Sequence, residues 1–198
     1  MIDQVDVMRV MDKLREDAVV IPTMRANVGW VEVSSNVNRD IPMGGVMGKA
    51  SSFALGMCLA QPDTKFICYD GDGSLVMNLA TLVTIGNKAP KNLYHFVMDN
   101  GVYATTGGQD VPGAGVTDYA EMARSAGYAH TYEFSDLEDF TTQVAEIMNQ
   151  EGPVLVCIKT IPNIRPPQER ASTRGAASRP RGTTDAIPDL MREFGVRT

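Results

Sequence analysis

Residues 65–74 read Lys65-Phe66-Ile67-Cys68-Tyr69-Asp70-Gly71-Asp72-Gly73-Ser74. A mostly apolar run of strand length leads into two glycines separated by an aspartate, and a helix-like segment follows. This pattern predicts a buried strand that turns sharply into a helix. Because glycine lets the main chain approach a ligand closely and Ser74 is a residue type that caps helices, we expect this turn to bind phosphate.

An aspartate between the two glycines repels phosphate unless a hard divalent cation lies between them, so Asp72 also predicts magnesium. The common nucleotide motifs do not fit. A dinucleotide fingerprint requires glycine where Val76 stands, and a P-loop requires glycine at Met43 and serine or threonine at Ala50. Taken alone, the two-glycine motif is also compatible with an ordinary turn.

Strand-like and helix-like segments alternate along the whole chain. We predict strands over residues 18–22, 65–69, 93–98, 129–133 and 154–159, and helices over 45–60, 74–87, 118–126 and 137–149. The alternation is typical of a doubly wound α/β fold, in which helices cover both faces of a mostly parallel sheet. Residues 24–44 and 100–116, rich in Gly, Asn, Pro and Thr, each follow a predicted strand, where such folds bind ligands.

We assign residues 1–160 to one domain and residues 161–198 to an Arg- and Pro-rich C-terminal arm with a short helix over 185–194. The arm carries five arginines: Arg165, Arg170, Arg174, Arg179 and Arg181. They are candidates for recognising an anionic substrate, with Arg165 the first candidate, although charged tails are more often simply solvated.

Composition narrows the classes of function. The chain has 198 residues, 43% of them hydrophobic and 21% charged, which suits one packed domain. A net charge of -6 and a pI near 4.9 disfavour nucleic acid and anionic lipid as partners. Cys58, Cys68 and Cys157 are too widely spaced for a disulfide framework or a metal cluster. With no apolar stretch of membrane-spanning length, we expect a cytoplasmic protein with buried thiols.

A second polar loop follows the next predicted strand, at Asp99-Asn100-Gly101-Val102-Tyr103. The carboxyl ends of parallel strands share one edge of a sheet, so Asp72, Asn100 and a nearby backbone carbonyl are expected to surround one octahedral ion.

Gly71-Asp72-Gly73 with Asn100 twenty-eight residues after Asp72 resembles the signature of thiamine-diphosphate enzymes. The resemblance implies that Asp72, Asn100 and the main-chain carbonyl of Val102 bind magnesium, and that the amides of Gly73 and Ser74 contact the diphosphate. Many members have asparagine where this chain has Asp99, a difference that leaves the implied metal ligands intact.

A denser resemblance, over residues 44–109, is to the sulfopyruvate and phosphonopyruvate decarboxylases. It rests on Gly45-Val46-Met47-Gly48-Lys49-Ala50-Ser51-Ser52, on residues 71–79 and on residues 99–109. It implies that Met47 wedges the cofactor into a bent shape, although a methionine there is by default core. The implied cofactor-binding residues are Gly45, Met47, Gly71, Asp72, Gly73, Ser74, Asn100, Val102 and Tyr103.

The resemblance implies a decarboxylase that uses thiamine diphosphate and Mg²⁺ to release carbon dioxide from a small 2-oxo acid. The activating glutamate belongs to a pyrimidine-binding domain in this family. About seventeen residues precede the first predicted strand, so we expect the glutamate on a pyrimidine-binding α subunit in a higher heteromer. The small residues Gly44, Gly48, Ser52 and Gly56 favour either that subunit contact or internal packing.

Alternatives stay open at this point. The same cofactor serves carboligases and 2-oxo acid oxidoreductases, although the isolated cysteines argue against a ferredoxin-linked enzyme that carries a cluster. A non-catalytic cofactor-binding subunit is a further alternative. His95 and His130 fall in or near predicted strands and are interpreted as structural.

Overall fold

A computed structural model of the protein describes residues 1–164 and 181–196. Its centre is a parallel sheet of five strands in the order β1-β2-β3-β7-β6. These strands are β1 (Val19–Pro22), β2 (Phe66–Gly71), β3 (Leu93–Asp99), β6 (His130–Phe134) and β7 (Val154–Lys159). A short antiparallel hairpin, β4 (Val102–Tyr103) and β5 (Gln109–Asp110), follows β3. The five predicted strands are confirmed, with ends that agree to within two residues.

Eight α-helices are present in the described residues, together with a 3₁₀ turn at Val37–Arg39. They are α1 (Gln4–Leu14), α2 (Met24–Val31), α3 (Ala50–Ala60), α4 (Asp72–Val76), α5 (Ala80–Lys88), α6 (Tyr119–Ala126), α7 (Leu137–Ile147) and α8 (Thr183–Glu193). The short C-terminal helix predicted over 185–194 is thereby confirmed.

Three sequence interpretations of helices were wrong. Residues 24–31 form α2 instead of a loop, and the helix predicted over 74–87 is divided into α4 and α5. The helix predicted from residue 45 begins at Ala50, because Gly45 and Gly48 have φ values of 70° and 71°, which no α-helix contains. Gly44, Gly48, Ser52 and Gly56 therefore do not share one helical face.

The helices cover both faces of the sheet, so the prediction of a doubly wound α/β fold is confirmed. Successive strand residues point to opposite faces: Phe66 belongs to the hydrophobic cluster that includes α3, α5, α6 and α8 residues. Ile67 belongs to the cluster that includes α1, α2 and α7 residues. The three cysteines, Cys58, Cys68 and Cys157, are buried free thiols.

Helix α8 packs against the domain. Leu190 is 2% exposed within the first cluster, and Thr183 Oγ1 donates to the carbonyl of Pro42 at 2.7 Å. Arg181 pairs with Asp189 at 2.7 Å and therefore has an internal partner. The arginines Arg165, Arg170, Arg174 and Arg179 lie outside the described residues. None of the helices in the described ranges has the length and hydropathy required to cross a membrane.

A crevice opens where the chain leaves neighbouring strands toward opposite faces. Helix α2, which follows β1, contributes Ala26 and Trp30 to one hydrophobic cluster. Helix α4, which follows β2, contributes Leu75 to the other. Parallel α/β sheets bind ligands at the carboxyl edge at such points.

Candidate cofactor-binding site

The crevice holds a cavity at the carboxyl ends of β1, β2 and β3. It contains about 510 Å³ of space free of protein atoms, part of it open to solvent. All but one of the residues that the sequence predicted to bind the cofactor line it: Met47, Gly71, Asp72, Gly73, Ser74, Asn100, Val102 and Tyr103. The exception is Gly45, which lies exposed on the loop that carries Met47.

The turn between β2 and α4 is tightly packed on one side. A Cβ atom on Gly73 would lie 2.5 Å from Cε1 of Tyr103, whereas a Cβ on Gly71 would meet nothing within 4 Å. Only glycine therefore fits at position 73 while the Tyr103 ring keeps its place. Gly71, not Ser74, is the N-cap of α4, because the helix begins immediately at Asp72.

Ser74 has a different role from the predicted cap. Its hydroxyl accepts a hydrogen bond from the amide of Gly48 at 3.0 Å, and Asn78 Nδ2 donates to the carbonyl of Gly48 at 2.9 Å. These bonds tie the loop that carries Met47 to α4 and to the residues directly after it. Two of the three segments that carry the resemblance, residues 45–52 and 71–79, thus meet at one wall of the cavity.

Asp72 is a buried carboxylate at the cavity wall. It is 2% exposed, and its Oδ2 accepts a hydrogen bond from the amide of Gly101 at 2.9 Å. Burial raises the pKa of Asp72 to about 6, and the negative charge of Asp99 adds to this rise. A buried carboxylate of raised pKa is stabilised by a cation placed beside it.

The other two predicted metal ligands lie after β3, Asn100 in the loop and Val102 at the start of β4. Asn100 Oδ1 accepts from the amide of Val102 at 2.9 Å, and the carbonyl of Val102 accepts from the amide of Ala104 at 2.9 Å. Each of these oxygens has a second lone pair for a metal. With Asp72 they form an oxygen-only donor set that fits Mg²⁺. No group of three or more His, Cys, Asp or Glu side chains with metal-site geometry occurs in the described ranges; the expected set contains only one carboxylate.

Asp99 does not line the cavity, and its carboxylate forms an ion pair. Its Oδ2 lies 2.7 Å from Lys159 Nζ, and Lys159 also pairs with Glu133 at 3.1 Å. Asp99 and Lys159 lie side by side because they are register partners on the paired strands β3 and β7. The charge at position 99 is therefore paired.

His95 lies in the core beneath the β2–α4 turn. It is fully buried, its Nδ1 lies 3.1 Å from the hydroxyl of Tyr128, and its Nε2 lies 3.6 Å from Asp70 Oδ2. The structural interpretation of His95 agrees with this burial. His130 is half-buried at the start of the edge strand β6 and does not line the cavity.

The sequence analysis did not identify which residues at the end of β1 line the cavity. Thr23, Met24, Arg25 and Ala26 line the cavity, together with Gln4 from α1. The loop after the first strand had been identified as a ligand-binding segment, and its position at the carboxyl end of a strand was the signal. Which of its residues face the cavity depends on the turn into α2, which the sequence interpretation lacked.

Known proteins resemble this chain in sequence and in fold. Residues 30–158 match the family described as Thiamine pyrophosphate enzyme, C-terminal TPP binding domain. Phosphonopyruvate decarboxylase from Streptomyces viridochromogenes is 34% identical over 148 residues, 75% of this chain and 37% of that protein. Sulfopyruvate decarboxylase subunit beta from Methanothermobacter thermautotrophicus is 34% identical over 166 residues, 82% of this chain and 84% of that protein.

The solved structure of thiamine diphosphate-dependent 4-hydroxybenzoylformate decarboxylase from Rhodococcus jostii RHA1 has the same fold. Its TM-score is 0.68 at 20% identity, over 80% of this chain and 32% of that chain. This chain spans 37% and 44% of the length of two phosphonopyruvate decarboxylases, so it corresponds to one part of those proteins. The match over residues 30–158 and the identity to the beta subunit together show that the chain belongs to the thiamine pyrophosphate enzymes and carries their C-terminal TPP-binding domain.

Proposed function

We propose that this chain is the diphosphate-binding subunit of a heteromeric enzyme that decarboxylates a 2-oxo acid with thiamine diphosphate and Mg²⁺. The observation that carries the proposal is the meeting of Asp72, Gly73 and Asn100 at one cavity, in a chain of this family. Relatives named as sulfopyruvate and phosphonopyruvate decarboxylases support the class of reaction.

In this proposal, Asp72, Asn100 and the carbonyl of Val102 hold the magnesium ion that neutralises the diphosphate. Gly73 keeps the main chain open to the diphosphate, and Met47 supplies an apolar wall against the cofactor. Thiamine diphosphate, when bound, supplies the electron sink that decarboxylation of a 2-oxo acid requires. The residues of this chain therefore bind and orient the cofactor and exclude water.

The proposal places the glutamate that activates the cofactor on a second, pyrimidine-binding chain. The relatives named subunit beta support a partner of this kind. The cavity is partly open to solvent, which also suits a site that a second chain completes.

Reconstitution tests the proposal. Carbon dioxide release from a panel of 2-oxo acids is measured with the purified chain alone, with a pyrimidine-domain partner, and with both plus Mg²⁺ and thiamine diphosphate. We expect turnover only in the complete mixture, and none when Asp72→Asn replaces the native chain. Turnover by the chain alone refutes the heteromer, and a complete mixture inactive on every 2-oxo acid refutes decarboxylation, leaving carboligation, oxidation or a non-catalytic role.

A further inference from the structure

We propose that His95 is a positioning residue of the cofactor site: in the cofactor-bound enzyme its Nε2 donates a hydrogen bond to Asp70 and so fixes the turn between β2 and α4. The inference rests on the cofactor site of the proposed function and not on the reaction performed there. His95 does not line the cavity, so it acts through Asp70, which does.

His95 and Asp70 are neighbours on one face of the sheet. His95 pairs with Cys68 across β2 and β3, and Asp70 follows two residues after Cys68 on the same face. Both residues are fully buried, and Nε2 of the ring lies 3.6 Å from Oδ2 of the carboxylate. This separation is a few tenths of an ångström longer than a usual N–H···O hydrogen bond. A small shift of either side chain therefore joins them.

Both atoms of this pair lack another partner. Within residues 1–164 and 181–196, neither Nε2 of His95 nor Oδ2 of Asp70 has a hydrogen-bond partner. A buried polar atom without a partner is unfavourable, and a carboxylate oxygen more so than an atom of a neutral group. A hydrogen bond between the two atoms satisfies both at once.

Tyr128 determines which ring nitrogen of His95 carries the proton. Its hydroxyl lies 3.1 Å from Nδ1 of His95. Burial raises the pKa of Tyr128 well above its usual range, and Cys68 and Asp70 add to the rise, so the hydroxyl keeps its proton and can donate it. In a neutral ring, a hydroxyl that donates to Nδ1 leaves the ring proton on Nε2. Nε2 then faces the carboxylate as a donor.

Asp70 connects this pair to the cofactor-binding turn. Its Oδ1 accepts a hydrogen bond from the amide of Gly71 at 3.0 Å, and Gly71 is the N-cap of α4. Asp70 also lines the cavity, together with Asp72 and Gly73. Fixing the Asp70 carboxylate therefore fixes the first amide of the turn whose later residues are expected to bind the cofactor.

The charge of the cofactor is the reason that Asp70 needs a donor. A diphosphate with one magnesium ion and Asp72 stays negative overall, and it shares the cavity with Asp70. Repulsion between like charges is strong where water is excluded. A donor at Nε2 of His95 attracts the Asp70 carboxylate toward the core and so favours the arrangement in which the cavity accepts the diphosphate.

Calorimetry of thiamine diphosphate with Mg²⁺ on the enzyme assembled with its partner chain tests this role. His95→Leu removes the donor, so the turn adopts its binding conformation less often, and the Kd should rise roughly 10- to 100-fold, as for the loss of a hydrogen bond to a charged group. His95→Gln keeps an N–H donor and should stay within about 3-fold of the native Kd. Equal Kd values for the two substitutions would overturn the proposal.

A double substitution tests whether His95 acts through Asp70. In an Asp70→Asn background the charge that His95 serves is gone, so His95→Leu should raise the Kd by less than about 3-fold. A rise as large as in the native background would mean that His95 acts by another route, and the proposal would fail.

Two tyrosine substitutions separate positioning from stability alone. Tyr128→Phe removes the buried hydroxyl beside His95 and should raise the Kd roughly 2- to 10-fold. Tyr94→Phe is the matched control, because it removes a buried hydroxyl from the preceding residue of β3, whose hydrogen bonds go to the carbonyls of Met148 and Gln150. Both should lower Tm, but Tyr94→Phe should leave the Kd unchanged. Equal rises in Kd would reduce His95 to a structural role, and this pair decides the question if His95→Leu does not fold.

Nuclear magnetic resonance gives a readout that does not depend on turnover. With ¹⁵N-labelled histidine in this chain of the assembled enzyme, His95 is assigned by the loss of its signals in His95→Gln, since the chain has two histidines. We expect a proton on Nε2 of His95 that moves downfield when Mg²⁺ and thiamine diphosphate are added. An Nε2 without a proton, or a signal that the cofactor does not move, would overturn the proposal.

The two proposals fail in different ways. Cofactor binding with the expected effects of the His95 substitutions, but no turnover of any 2-oxo acid, would refute decarboxylation and leave the role of His95 in place. Turnover of a 2-oxo acid together with a native Kd in His95→Leu would retain the proposed function and remove the role of His95.

Discussion

Replacing Asp72 by asparagine should stabilise the cofactor-free protein while removing its magnesium-dependent cofactor binding. Asp72 is 2% exposed, and burial raises its pKa from 3.8 to about 6. A shift of roughly two pKa units corresponds to about 3 kcal/mol lost from the free energy of unfolding at pH 7. Asparagine is neutral, and its Oδ1 can still accept from the amide of Gly101. We therefore expect Asp72→Asn to increase the free energy of unfolding at pH 7 by roughly 1–3 kcal/mol.

The pH dependence of the gain follows from the direction of the pKa shift. Between the unfolded pKa of 3.8 and the folded pKa of about 6, the folded protein holds the Asp72 proton more tightly than the unfolded chain does. The native protein thus loses stability relative to Asp72→Asn as pH rises through this window, and the difference is complete above pH 6. Below about pH 4 the two proteins should be equally stable.

Thermal denaturation measures both parts of this prediction. At pH 7, Asp72→Asn should raise Tm by roughly 2–4 °C per kcal/mol gained, whereas Asp63→Asn, at an exposed position, serves as the charge-matched control. In the assembled enzyme, Mg²⁺ with thiamine diphosphate should raise the Tm of the native protein and leave that of Asp72→Asn unchanged. A less stable Asp72→Asn at pH 7, or a retained cofactor-dependent shift, would refute the reasoning.

Three further predictions concern the same site and its support. Gly73→Ala should destabilise the protein by roughly 1–3 kcal/mol in chemical denaturation and weaken cofactor binding, because its Cβ would meet the Tyr103 ring at 2.5 Å. Gly71→Ala is the control, since the space around its Cβ is open, and it should lower the free energy of unfolding far less. Equal destabilisation by the two substitutions would contradict the packing argument. Asn100→Ala should abolish magnesium-dependent cofactor binding in calorimetry with an unchanged circular dichroism spectrum, and retained affinity would remove Asn100 from the metal site. Leu190→Ala should lower the free energy of unfolding by roughly 2–5 kcal/mol, since Leu190 is 2% exposed in the core; a change near zero would show that α8 does not stabilise the domain.

Much of the site could be predicted because its residues are either neighbours in the sequence or follow consecutive strands of the sheet. Asp72 and Asn100 follow consecutive strands of a parallel sheet, and pairing of β2 with β3 brings their carboxyl ends together. The strand pattern alone therefore implied that these two residues share an edge. Local features depending on backbone angles were harder to predict, as the late start of α3 after Gly48 shows.

The sequence by itself determined the alternating α/β order, the burial of the strands and the two polar loops that hold the expected metal ligands, since these depend on hydrophobic periodicity and on glycine at a turn. Only the tertiary structure decided that Gly73 packs against Tyr103, that Ser74 holds Gly48 instead of capping a helix, and that Arg25 lines the cavity. Each of these facts depends on contacts between segments distant in the chain. Their geometry is set by how the helices pack on the two faces of the sheet, which no local pattern encodes.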